Sequence, residues 1–186
     1  MKYLLIIDAQ NDFINGSLKC LNAEPALDKI IAFINNHPEF NTIYSLDWHS
    51  KTNKSFINNG GMWPQHCIVG THGAEINELF SKLKDKSKSP NENNKFYKGI
   101  NDDIEEYSAY LARNDQKKAI GDILSPSDEI VICGYALDYC IKETTNELLN
   151  SGFSNITIYK DLVGYVNQGD YDKALITFKN KGIKII

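Results

Sequence analysis

The chain lacks a long apolar run. Its first, Tyr3 to Ile7, is cut off at Asp8, which is too short for a signal-peptide core or a membrane span. A soluble cytoplasmic protein with no membrane partner is therefore expected. Blocks of one charge are also missing: 20 basic residues face 24 acidic ones, and the formal charge of -4 is spread along the chain. A phosphate backbone would find nothing to hold, so nucleic acid is not an expected partner. The four cysteines, Cys20, Cys67, Cys133 and Cys140, form no CxxC pair. A chain of 186 residues needs no disulfide staples, and all four are expected to be reduced. Neither GxGxxG nor GxxxxGK[ST] occurs, which argues against a nucleotide-binding domain. No repeat, linker or low-complexity segment divides the chain, and 42% hydrophobic residues suffice for one core. A single domain over 1–186 follows.

Strand and helix patterns alternate over that length. Tyr3–Ile7 is apolar throughout, as in a strand buried on both faces, and ends at a carboxylate. Leu27, Ile30, Ile31 and Ile34 recur at helical spacing within 25–36, with Pro25 suited to a first turn. Short strands are expected at 42–46, 94–97, 129–133, 156–159 and 183–186, the first two of these separated by a long Gly-rich stretch. A helix is expected from about Cys140 to Asn150, and another carries Tyr171, Ala174, Leu175 and Phe178 on one stripe. This order predicts a three-layer α/β/α, Rossmann-like fold: a mostly parallel six-stranded sheet with helices on both faces. In such a sheet the site forms beyond the carboxyl ends of the strands. Asp8, Asp47, Lys98 and Cys140 all fall just past expected strands, so the fold would gather them on one rim.

Asp47-Trp48-His49 is followed seventeen positions later by His66. In an extended segment Asp47 and His49 face the same side and can share one ion, with His66 returned by the loop. The alternative is a pair of loop histidines satisfied by hydrogen bonds. Cys140 stands where a Gly-rich turn would enter a helix, and the free amides there favour thiolate over thiol, aided by the Lys98 cation. Asp8 fits as the group that takes the thiol proton and delivers it to a leaving amine. Against this stands the ordinary role of a free cysteine as a buried apolar side chain, which is the expectation for Cys20, Cys67 and Cys133.

Six segments carry a resemblance. They are Ile7-Asp8-Ala9-Gln10-Asn11-Asp12-Phe13; Asp47-Trp48-His49-Ser50; Trp63-Pro64-Gln65-His66-Cys67 with Gly70-Thr71 and Gly73-Ala74-Glu75; Lys98-Gly99; Tyr107-Ser108-Ala109-Tyr110; and Gly134-Tyr135-Ala136-Leu137-Asp138-Tyr139-Cys140. In this order the chain resembles, from residue 3 to its end, the nicotinamidases of the isochorismatase-like cysteine hydrolase superfamily. The resemblance implies hydrolysis of nicotinamide, and of the analogue pyrazinamide, in NAD salvage. It implies a catalytic triad of Asp8, Lys98 and Cys140, and a divalent metal on Asp47, His49 and His66. Zinc is the first choice, and iron or manganese would also accept that set. It implies a cis peptide at Tyr135–Ala136 that aims the amides of Ala136 and Cys140 at the carbonyl oxygen. It also implies that Phe13, Trp63 and Tyr107 sandwich the substrate ring, with Tyr135 and Ala136 bordering it. Residues 53–59 offer no carboxylate or imidazole as a further ligand, leaving water to complete the shell. Two rivals stand beside this: another hydrolase of the superfamily acting on a different small amide or a vinyl ether, which would not keep the metal triplet, and a non-catalytic binding protein. A homo-oligomer is compatible with the sequence.

Overall fold

The computed structural model describes residues 1–186. Successive residues of β1 (Lys2–Ile7) enter two different cores: Leu4 and Ile6 one, Tyr3, Leu5 and Ile7 the other. A strand loaded on both faces must lie inside its sheet. The other strands are β2 (Asn41–Asp47), β3 (Lys95–Lys98), β4 (Glu129–Gly134), β5 (Ile156–Val163) and β6 (Lys184–Ile185). All neighbours pair in parallel, in the order β3-β2-β1-β4-β5-β6. The sheet is thus wholly parallel, and no helix is long and apolar enough to cross a membrane.

The helices are α1 (Asn11–Ile14), α2 (Ala23–Asn36), α3 (Ile120–Ile123), α4 (Lys142–Asn150) and α5 (Gln168–Asn180). Leu27, Ile30 and Ile34 of α2 pack on the Leu4 face, whereas Leu148 of α4 and Ala174 and Phe178 of α5 pack on the Leu5 face. Pro25 lies in the first turn of α2, where its missing N–H costs nothing. The β2–β3 connection contains only short 3-10 turns, such as Ile57–Asn59 and His72–Ala74.

From β1 the chain builds outward through β2 and β3, then returns to lay β4 on the other side of β1. This reversal opens a crevice beyond the ends of β1 and β4, where a doubly wound sheet binds its ligands. Three boundaries differ from expectation there. Asp47 and Lys98 are the last residues of β2 and β3, paired with each other, instead of lying beyond the strands. Cys140 does not begin an α-helix. It sits in a wide turn, Leu137–Ile141, in which the Ile141 amide bonds to Ala136 O five residues back, and α4 starts only at Lys142.

Candidate active site and metal centre

Strand ends bring the chemistry together. Asp8 follows β1 with φ +47, uncommon for a residue with a side chain and held by its backbone amide bonding to Ser45. Its Oδ1 accepts from the Ser45 hydroxyl at 2.6 Å, and its Oδ2 lies 2.9 Å from Lys98 Nζ. The same ammonium contacts Asp47 Oδ1 and stands 3.5 Å from Cys140 Sγ. Carboxylate and sulfur atoms of Asp8, Asp47 and Cys140 all lie within 4.8 Å of one another. Asp8, Lys98 and Cys140, expected from sequence to meet, are all buried and converge on one point.

At Cys140, burial pushes the thiol well above the ordinary value, Lys98 opposes this, and Asp8 and Asp47 add to it. Burial likewise raises the Asp8 carboxyl against the pull of Lys98. Burial works against ionised Asp47 too, yet Lys98 and the two histidines outweigh it and keep that carboxyl low. Asp8 stands close enough to the sulfur to take the thiol proton as Cys140 attacks.

Asp47, His49 and His66 form the second group, and each is at most 5% exposed. His49 extends beyond β2 and pairs with 67–69, its amide bonding to Cys67 O and its carbonyl accepting from Val69 N, so His66 arrives beside it. His49 Nδ1 bonds to Gly99 O at 2.9 Å and His66 Nδ1 to Pro64 O at 2.8 Å. Carbonyl acceptors call for N–H at both Nδ1 positions, which leaves both Nε2 atoms as donors to an ion. Those atoms lie 3.6 and 3.8 Å from Asp47 Oδ2. Ligands about 2.0–2.1 Å from a tetrahedral zinc ion stand roughly 3.3–3.4 Å apart, so a small contraction would let one ion take all three. By its donors and their spacing, the set fits a divalent metal. Phe56, wholly buried, packs edge-on against both imidazoles at 5.5 and 5.4 Å.

Two side chains hold this frame without having been singled out from sequence. Gln10 clamps the Asp47 backbone, accepting from its N–H at 2.8 Å and donating to its carbonyl at 2.7 Å. Asp12 accepts from the Cys67 amide at 2.7 Å and so fixes the turn after His66, where Cys67 has φ +47. Both lie in the first motif segment, but their partners are backbone groups far along the chain, and spacing carries no sign of them.

A pocket leads to Cys140, lined by Phe13, Leu18, Asp47, Trp63, His66, Glu105, Tyr107, Ala136, Tyr139 and Val166. Phe13, Trp63, Tyr107 and Ala136, which the resemblance implies as ring-contacting residues, all line it. Trp63 donates from Nε1 to the Tyr107 hydroxyl at 3.0 Å and meets Tyr139 edge-on at 4.8 Å, forming an aromatic wall. Tyr139 was not anticipated, because it resembles any helix-entry residue. Tyr135 departs from expectation: its ring lies in the core, and its hydroxyl donates to Ala23 O at 2.7 Å. It touches the site only through the peptide bond to Ala136, which is cis. No acceptor in the chain takes the Ala136 N–H.

Comparison with known proteins gives one family. The isochorismatase domain description matches residues 2–186. The nicotinamidase of Escherichia coli is 29% identical, with 92% of this chain and 86% of that enzyme aligned. Among solved structures, the pyrazinamidase of Pyrococcus horikoshii in complex with zinc superposes with a TM-score of 0.82 at 28% identity, covering 100% of this chain and 98% of the other. A protein from L. infantum in complex with nicotinate gives 0.84 at 26% identity, covering 100% and 92%.

Proposed function

The chain belongs to the isochorismatase family, and from that membership we propose that it hydrolyses nicotinamide to nicotinate and ammonia through a thioester on Cys140. The observation that carries the reading is one lysine, Lys98, bridging Asp8, Asp47 and Cys140, so that the nucleophile and the imidazole pair share a wall. The nicotinamidase and pyrazinamidase relatives support this substrate class.

In this reading the substrate ring enters between Phe13 and the wall of Trp63, Tyr107 and Tyr139, with its carboxamide facing Cys140. Asp47, His49 and His66 would hold a divalent ion, with zinc favoured by the donor set, which when bound would supply a Lewis acid beside the substrate ring. Cys140 Sγ attacks the amide carbon while its proton passes to Asp8. Lys98 keeps the Asp8 carboxylate oriented and offsets the charge that develops on sulfur. The free Ala136 N–H, with that of Cys140, receives the oxyanion, and losing one such donor typically costs on the order of a hundredfold in rate. The carbon–nitrogen bond then breaks as Asp8 returns the proton, releasing ammonia and leaving the thioester. Water next attacks the thioester carbon, Asp8 takes its proton, the carbon–sulfur bond breaks, and the proton returns to Cys140. Pyrazinamide, with a ring of similar size and the same amide, is accepted in the same pose. Nicotinate so formed feeds NAD salvage.

Ammonia release from nicotinamide is the test. The parent protein is expected to be active and Cys140→Ala inactive, and equal rates in the two would end the mechanism.

A further inference from the structure

The loop after β3 contains a carboxylate that touches neither the pocket nor the metal-site atoms, yet is tied to both groups of the active site. Glu106 Oε2 accepts from the Gly99 amide at 2.8 Å. The carbonyl of the same Gly99 is the one that His49 Nδ1 meets at 2.9 Å, and Asn53 Nδ2 also reaches it at 3.3 Å. Glu106 meets Lys98 as well, through its own carbonyl, 3.4 Å from Nζ. Gly99 has φ +69, and a Cβ there would meet His49 Cε1 at 2.4 Å. The imidazole is thus packed directly on a glycine peptide that no side chain of its own restrains.

We propose that Glu106 is a positioning residue: by gripping the Gly99 N–H it limits how far the glycine turns about its Cα, keeps the carbonyl of the next peptide aimed at His49 Nδ1, and so presents His49 Nε2 to the metal ion. The proposal rests on the reading of Asp47, His49 and His66 as a metal site. The physics is that of an outer hydrogen bond that sets the tautomer and orientation of a ligating imidazole. The Trp48 N–H holds the Lys98–Gly99 peptide at Lys98 O and Asn53 reaches the following peptide at Gly99 O, so Glu106 is the partner that holds the glycine N–H between them. What Glu106 contributes is reach rather than charge. A glutamine at this position still presents an oxygen to the amide, whereas an aspartate keeps the charge and falls a methylene short.

The experiment is metal affinity of the purified full chain, stripped and then titrated with zinc against a chromophoric chelator, for the parent, Glu106→Gln and Glu106→Asp. The ligand-field spectra of the cobalt(II) forms and the melting temperatures of the metal-free proteins are recorded alongside. Glu106→Asp is expected to bind roughly tenfold more weakly and to show an altered cobalt spectrum, while Glu106→Gln stays near the parent. Equal affinity in all three, or loss in Glu106→Gln with retention in Glu106→Asp, overturns the proposal while leaving the metal site intact. A parent that holds no divalent ion refutes the metal site and this role together.

Discussion

Replacing Gly134 by alanine disturbs both sides of the catalytic crevice through one methyl group. Gly134 closes β4 with φ +108, and a Cβ there would lie 2.0 Å from Ile7 O and 2.8 Å from Ile7 N. That carbonyl already accepts from the Tyr135 amide at 2.9 Å, and the atoms it meets belong to backbone rather than to a yielding side chain. A left-handed conformation costs an L-residue roughly 1–2 kcal/mol. Forcing β1 and β4 apart adds about 1–3 kcal/mol, as overpacking typically does. The sum, about 2–5 kcal/mol, corresponds at roughly 2–4 °C per kcal/mol to a melting point lowered by about 4–20 °C. Activity should fall further than stability. Ile7 immediately precedes Asp8, and Gly134 immediately precedes the Tyr135–Ala136 peptide, so the proton acceptor and the oxyanion donor move together. A displacement of about 1 Å costs on the order of a hundredfold in rate. Thermal unfolding and kcat/KM for nicotinamide, measured well below the melting point, give both quantities. A variant that melts with the parent and turns over at the parent rate would refute the claim that close β1–β4 contact sets the site.

Two more expectations follow from the same geometry. Lys98→Met leaves Asp8 and Asp47, 0% and 4% exposed, without their shared cation; urea unfolding of the metal-free protein should show a loss of roughly 3–5 kcal/mol, partly restored by adding Asp8→Asn, and an unchanged midpoint would contradict it. Stripping the protein with a chelator should abolish ammonia release. Restoring zinc at about a thousandfold excess over its Kd should return activity and raise stability by about 4 kcal/mol, whereas full activity in the stripped protein would rule out a metal role.

What the sequence discloses here follows from where signals are local. β1 is legible because an unbroken Tyr3–Ile7 run ending at Asp8 has few other uses, and α2 because its apolar residues keep a helical period. Alternation of such elements implied the parallel sheet, and the sheet implied the rim on which Asp8, Asp47, Lys98 and Cys140 meet. The electrostatics of that rim were not legible. Cys140 resembled a helix-start residue, but burial raises its thiol, with Lys98 opposing and Asp8 and Asp47 adding, groups far away in sequence. The resemblance put Tyr135 beside Ala136 at the pocket, yet the Tyr135 ring is in the core and only Ala136 lines the pocket. Glu105 and Glu106 stand in an aperiodic loop, where nothing in spacing distinguishes a carboxylate at the pocket from one that grips Gly99.

Trapping the acyl-enzyme tests the central claim most directly. Parent protein mixed with nicotinamide, quenched in acid within the first turnovers and digested should yield the peptide containing Cys140 heavier by one nicotinoyl group, a label removed by hydroxylamine and absent from Asp8→Asn. Ammonia release at full rate with Cys140 never acylated, or with the label on another residue, would contradict the account.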